Sequence, residues 1–421
     1  MKNILHFSSD DFGGAGSAAV RLHNNLNSNG FNSLLLCLNK KTNYSDIVKV
    51  HSSSLMIFFE KIINKLEVYT KFFNRKYYFF DKNRNIIKSI KDIESVTQIK
   101  PDIIILHWIS GLIDISVIKQ LQEKYDCKVY WYLMDMAPMT GGCHYAWDCI
   151  GYTKSCSSCP AVGLFYKNLP LNTMIHKQQI LSAINIEPIS ASRWLNRQLK
   201  QSSLFKESNI HEIMLSINSD IFKPLDQDNV FEIKKKYNLP VNKKVIFFGA
   251  SNLKEERKGL KYFLDALELI ASKKLIDIES TIVVTAGKKI PKSISKKITF
   301  PQKHIGYLNG DKELAEAYQI ATVFVSSSIQ DSGPMMINES IMCGTPVVSF
   351  KMGVAEDLVV NGETGYIAEL KSFKGLANGI SKIINLDNLN YKEMQERCRK
   401  LAFKKCRIDI QTKKFISLLS E

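Results

Sequence analysis

Short apolar runs recur along the chain. Each is followed by a polar or glycine-rich loop and then by an amphipathic segment. NILHFSS, from residue 3, predicts a buried strand, DDFGGAGS a loop, and AAVRLHNNLNSNG a helix that stops at Gly30. FNSLLLCLN predicts the next strand, and strand–loop–helix–strand order is a βαβ unit, which implies a parallel sheet. The pattern returns at PDIIILHW and CKVYWYLMD.

A second series opens near residue 244. KKVIFFGA predicts a strand and KGLKYFLDALELIAS an amphipathic helix. STIVVTAG predicts a strand, ELAEAYQIA a short helix and TVFVSSS a strand. INESIMCG predicts a helix ending at Gly344, and TPVVSF a strand. The chain of 421 residues is long enough for two domains. The turn-rich stretch around QSSLFKESN places their boundary near residue 205. The fold class expected is α/β, with two Rossmann-like domains facing across a cleft. Ligands of open parallel sheets bind beyond the carboxyl ends of the strands, so residues just after strands are the first candidates for chemistry.

Charge and cysteine content narrow the picture. The formal net charge of +16 suits acidic partners: phosphates, nucleic acid or an anionic membrane surface. A hydrophobic content of 45% excludes a disordered or collagen-like chain. No window holds the roughly 18 uninterrupted apolar residues of a transmembrane helix. The N-terminus runs straight from a strand into an acidic loop, unlike a signal peptide, so a cytoplasmic protein is expected. Nine cysteines in such a compartment point to free thiols or metal ligands before disulfides.

Gly14-Ala15-Gly16-Ser17-Ala18-Ala19 fits the G-x-G-x-x-A pattern between a strand and a helix. A nicotinamide site would also want an acidic residue ending the next strand. That strand ends Cys37-Leu38-Asn39-Lys40-Lys41. The loop is therefore read as a contact for another phosphorylated ligand through Gly14 and Gly16, with a ligand-free tight turn and a dinucleotide as the alternatives.

The sharper signal follows the strand TVFVSSS, in SIQDSGPMMINESIMCGTPVVSF. Asp331 falls in a loop and Glu339 inside the next helix, whose first turn suits Pro334. Free backbone amides at Gly333, Met335 and Met336 would receive an anion there. Carboxylates on either side of that site would accept sugar hydroxyls.

This segment resembles the acid-x7-acid motif of retaining GT-B glycosyltransferases, especially family 4, usually E-x-F-G-x-x-x-x-E-A-M-A-C-G-T-P-V-V. Here Asp331, Ser332, Gly333 and Glu339 are followed by Ser340-Ile341-Met342-Cys343-Gly344-Thr345-Pro346-Val347-Val348. Gly353, Glu356 and Asn361-Gly362-Glu363-Thr364-Gly365-Tyr366 continue the match. Upstream, His304-Ile305-Gly306-Tyr307-Leu308, Arg257-Lys258-Gly259 and Asn218-Ser219-Asp220-Ile221-Phe222-Lys223-Pro224 resemble further family elements in order. The family's arginine after the first strand of this half is absent from Phe248-Gly249-Ala250-Ser251-Asn252, and Arg257 is the candidate replacement. The resemblance implies that Glu339 binds the donor ribose and Asp331 the hydroxyls of the transferred sugar. Lys258, with Arg257, would neutralise the departing diphosphate, an electrostatic stabilisation of developing charge. No cofactor is implied for sugar transfer. A solvated helical Glu339 and a surface Lys258 are the plainer alternatives.

In the first half, His107 and Trp108 end a strand, with His107 either a core residue or a cleft residue. The next strand ends Met134-Asp135, followed by Thr140-Gly141-Gly142-Cys143-His144-Tyr145. Members of a polysaccharide-synthesis branch are similar here but carry histidine where this chain has Met134. Asp135 is the candidate contact to an acceptor hydroxyl or the donor sugar. Cys143-x5-Cys149-x6-Cys156-x2-Cys159 suits a tetrahedral structural zinc. Paired disulfides or unliganded thiols are the alternatives, and His144 is an alternative fourth ligand. The aromatic, lysine-rich stretch 55–80 suits either a membrane surface or a packed helix.

The expected function is retaining transfer of a sugar from a nucleoside diphosphate-sugar to a glycan or lipid-linked glycan acceptor, in surface polysaccharide synthesis. The site would be cytoplasmic or at the inner face of the membrane. Domains are expected over 1–205 (acceptor side), 206–395 (nucleotide-sugar side) and 396–421 (helices returning to the first domain). A catalytically decayed scaffold acting as a binding protein is the alternative. No nucleic-acid motif is present in the sequence to support that partner.

Overall fold

The computed structural model describes residues 1–50, 62, 73–288, 296, 298–333 and 335–420. Most of the aromatic stretch 55–80, and Pro334, lie outside the described residues. The chain forms two compact units. One comprises Met1–Ile213 with Thr412–Glu421, the other Met214–Gln411. The sequence division at 205 and 395 differs from these limits, and residues 396–411 go with the second unit.

The first unit is a sheet of seven strands: β1 (Asn3–Phe7), β2 (Asn32–Cys37), β3 (Ile47–Lys49), β4 (Ile103–Leu106), β5 (Lys128–Leu133), β6 (Ile186–Ser190) and β7 (His211–Glu212). Their order is β3-β2-β1-β4-β5-β6-β7, and every neighbouring pair is parallel. Strands such as Ile103–Leu106 are apolar at every position because helices cover both faces of a parallel sheet. Leu5, Phe7, Ile104, Leu106, Trp131 and Leu133 lie in the core. The end of the C-terminal helix closes this sheet. Phe415 packs on Tyr132 with ring centres 5.3 Å apart, and Lys2 donates to the Leu419 carbonyl.

The glycine-rich segment departs from expectation. The first helix begins at Gly13 and runs to Asn27, so Gly14 and Gly16 are helical. A Cβ on Gly16 would stand 2.6 Å from the Asp10 carbonyl oxygen, whereas one on Gly14 would meet nothing. Gly16 is thus explained by close helix–loop packing. The Asp11 carboxylate takes the Lys41 and Thr42 amides at 2.7 and 2.8 Å, fixing the loop after β2.

The second unit is a sheet of six strands: β8 (Lys244–Gly249), β9 (Thr281–Ala286), β10 (Gln302–His304), β11 (Val323–Ser326), β12 (Val347–Phe350) and β13 (Gly365–Ala368). The order is β10-β9-β8-β11-β12-β13, again parallel throughout. Both sheets reverse direction of winding beside their first strand. Such switch points, between β1 and β4 and between β8 and β11, open a crevice at the strand ends.

Candidate functional site

The switch point of the second unit gathers the expected donor residues. β8 leads into a single turn of tight helix, Glu256–Lys258, ending at Gly259. Gly259 has φ +68°, and a Cβ there would lie 1.8 Å from the Ser327 carbonyl oxygen. No other residue type fits without displacing one loop. Ser327 Oγ donates to the Lys258 and Gly259 carbonyls at 3.1 and 2.9 Å, and the Ile329 amide donates to Arg257 at 2.8 Å. The loop after β8 is therefore stitched by its backbone to the loop after β11.

That stitching brings the cations onto Asp331. Lys258 Nζ stands 2.6 Å and Arg257 Nη1 2.9 Å from Asp331 Oδ2, and Arg257 Nη2 stands 2.8 Å from Glu255. All of these side chains are largely buried. Burial pushes the Asp331 carboxyl up, but Lys258 and then Arg257 outweigh it, and its pKa falls below the usual aspartate value. A buried carboxylate holding two cations is a charge cluster suited to exchange with an anionic ligand.

The amide of Gly333 is turned to Asp331 Oδ1 at 3.4 Å, which corrects the expectation of a free amide there. Met335 and Met336 begin the helix Met335–Met342. Glu339 is buried inside that helix and accepts the Tyr318 hydroxyl at 2.9 Å; a solvated Glu339 is ruled out. Burial, then the Glu339 charge, push the Tyr318 pKa up, so the phenol remains a donor. Tyr318 and Glu255 escaped the sequence reading. Tyr318 sits on the apolar face of a short amphipathic helix, Gly310–Gln319, where an aromatic residue reads as core.

In the first unit Asp135 follows β5 and is buried. Its Oδ1 accepts the Ala137 amide at 2.8 Å, and its Oδ2 lies 2.5 Å from His144 Nδ1. Trp108 Nε1, after β4, lies 3.0 Å from the same His144 nitrogen, and Ser110 Oγ lies 3.2 Å from His144 Nε2. His144 is therefore engaged as the partner of Asp135. Asp135 and Trp108 line a cavity of about 60 Å³, together with Asn85, Ser110 and Lys177. His107 is buried and also lines that cavity. It stacks on His6 at 5.3 Å, with His6 Nδ1 and His107 Nε2 2.9 Å apart. Burial drives the His107 pKa to about 3. Gly14 and Gly16 bring no polar side chain to either cluster.

Comparison with known proteins gives these clusters a setting. The whole chain matches sucrose-phosphate synthase from Thermosynechococcus elongatus, with a TM-score of 0.67 at 15% identity over 99% of this chain and 98% of that one. It also matches Anabaena HepE in complex with UDP and glucose, with a TM-score of 0.64 at 12% identity over all of both chains. The fold is that of the GT-B glycosyltransferases. Residues 229–405 match the family of glycosyl transferases group 1. At the level of sequence the chain is similar to the capsular polysaccharide biosynthesis glycosyltransferase CapM of Staphylococcus aureus. Identity is 26% over 220 residues, which are 51% of this chain and 56% of that protein. The chain thus spans little more than half the length of that relative. Among the described residues no helix is long and apolar enough to cross a membrane.

Proposed function

We propose that this protein is a retaining glycosyltransferase of family 4 that moves a sugar from a nucleoside diphosphate-sugar to a glycan acceptor. The observation that carries the reading is the convergence of Lys258 and Arg257 on Asp331 at the β8–β11 switch point, close in sequence to buried Glu339. On donor binding the two cations exchange Asp331 for diphosphate oxygens. The freed carboxylate then accepts hydroxyls of the transferred sugar, and Glu339, steadied by Tyr318, takes the ribose.

In the reaction the bond between the anomeric carbon and the β-phosphate oxygen breaks while the acceptor oxygen bonds to that carbon on the same face. The acceptor proton passes to the departing phosphate oxygen. Lys258 and Arg257 stabilise the charge that develops on the diphosphate, where preorganised cations in a dry site act most strongly. Asp135, oriented by His144 and the Ala137 amide, is the acceptor-side contact.

Similarity to CapM, a capsular polysaccharide biosynthesis glycosyltransferase, supports a surface polysaccharide as the acceptor class. Binding of UDP and glucose by HepE supports a nucleoside diphosphate-sugar as the donor class. A thermal-shift screen of UDP-, GDP- and other nucleotide sugars tests the reading. A specific donor raises the melting temperature as RT ln(1 + [L]/Kd), and Glu339→Ala abolishes both that shift and transfer. Normal transfer by Glu339→Ala would overturn the assignment.

A further inference from the structure

The loop from Met134 to Asn168 connects β5 to the helix Leu169–Leu181. Apart from short turns of tight helix it has no regular structure. So long a connection inside a compact unit needs something to hold it. It carries Cys143, Cys149, Cys156 and Cys159, all free thiols, and the fold brings them together. The four line one cavity of about 10 Å³ beside Tyr77 and Phe79, room for about one water-sized sphere. A Cβ on Gly151 would lie 3.3 Å from Cys149 Sγ and 3.6 Å from Cys156 Sγ, so both sulfurs flank one glycine.

The Gly151 amide donates to Cys149 Sγ at 3.4 Å. The Gly141 amide points to Cys156, and the amides of Ala161 and Val162 to Cys159. Lys177, half-buried, interacts electrostatically with Cys156 and Cys143 while donating to the Ala137 and Thr140 carbonyls at 2.6 and 2.8 Å.

We propose that Cys143, Cys149, Cys156 and Cys159 bind one structural zinc ion. Four cysteine ligands and no open position define a structural rather than a catalytic site. Binding converts four thiols to thiolates and releases their protons to water. Among the described residues no three histidine, cysteine or acidic side chains are already gathered as a metal-binding group. Binding would require the sulfurs to close on the cavity they share. His144, held by Asp135, Trp108 and Ser110, is left out. Because Cys143 precedes His144, the metal also anchors the strand of loop that presents the Asp135–His144 pair.

Metal analysis of the full chain, purified in reducing buffer, tests this independently of any transfer assay. One zinc per chain is expected. Cys156→Ser and Cys159→Ser should each lose it, while Cys127→Ser, in the core away from the cluster, keeps it. Should the serine variants fail to fold, cobalt exchanged into the wild-type chain decides the matter, since four thiolates in tetrahedral array give intense visible bands. Absence of zinc with no cobalt spectrum, disulfides among these cysteines in the freshly reduced chain, or bound iron in place of zinc would each overturn the proposal.

Discussion

The Lys258 ammonium lies 2.6 Å from Oδ2 of Asp331, across two loops that belong to different strands. The same oxygen also holds Arg257. The carboxylate fixes both cations at the end of β8, and its removal would leave Lys258 without its carboxylate and Arg257 with Glu255 alone. Breaking a buried pair at one partner is costly because the other is left uncompensated.

Replacing Lys258 by Ala leaves Asp331 with Arg257 alone and removes one cation from the departing diphosphate. Loss of a single transition-state donor costs about 10²–10³-fold in kcat. A fall of that order is expected in Lys258→Ala, with circular dichroism unchanged. Turnover within about twofold of wild type would show that Lys258 does not face the leaving group.

Loss of the Tyr318 hydroxyl should lower stability and donor affinity together, without touching the donor's phosphates. Tyr318→Phe leaves the buried Glu339 carboxylate short of a donor, at a cost of about 1–3 kcal/mol. Urea denaturation should show that loss. The thermal shift with the preferred nucleotide sugar should shrink in parallel.

Gly259→Ala tests the stitching of the two loops. An Ala at φ +68° is strained, and its methyl would overlap the Ser327 carbonyl. The left-handed conformation alone costs about 1–3 kcal/mol. Transfer is expected to fall further than stability, because the overlap moves the Arg257–Lys258 turn away from Asp331. Equal donor affinity in the variant and the wild type would sink this account.

The stacked pair His6–His107 predicts an acid-sensitive first unit. Both pKa values lie below the ordinary 6.5, His107 at about 3, chiefly from burial. Between these values the unfolded chain binds protons that the folded chain refuses, so stability rises with pH in that window. The contribution of the pair is complete above about 6.5 and is lost as pH falls toward about 3. Urea midpoints measured across that range should fall, and His107→Phe should flatten the slope.

Much of the fold was legible in the residue pattern. Apolar runs such as IIIL and VVSF mark strands buried on both faces, because a parallel sheet covered by helices excludes water from every position. The spacing of Asp331 and Glu339 likewise puts one acid in a loop and the other in a helix, by local geometry alone. The start of the first helix was not legible. Glycines read as a loop by propensity, yet Gly13 begins the helix, because packing on the Asp10 backbone outweighs the entropy that glycine loses.

What the tertiary structure alone decided is which distant residues meet. Lys258 and Asp331 are brought together because β8 lies beside β11. Tyr318 reaches Glu339 because the helices Gly310–Gln319 and Met335–Met342 pack against each other. Four cysteines surround one cavity because an irregular loop folds back on itself. Local periodicity reports which face of an element is dry. It carries no record of strand order or of how a loop returns, since those are set by the whole chain's burial of its apolar surface at once.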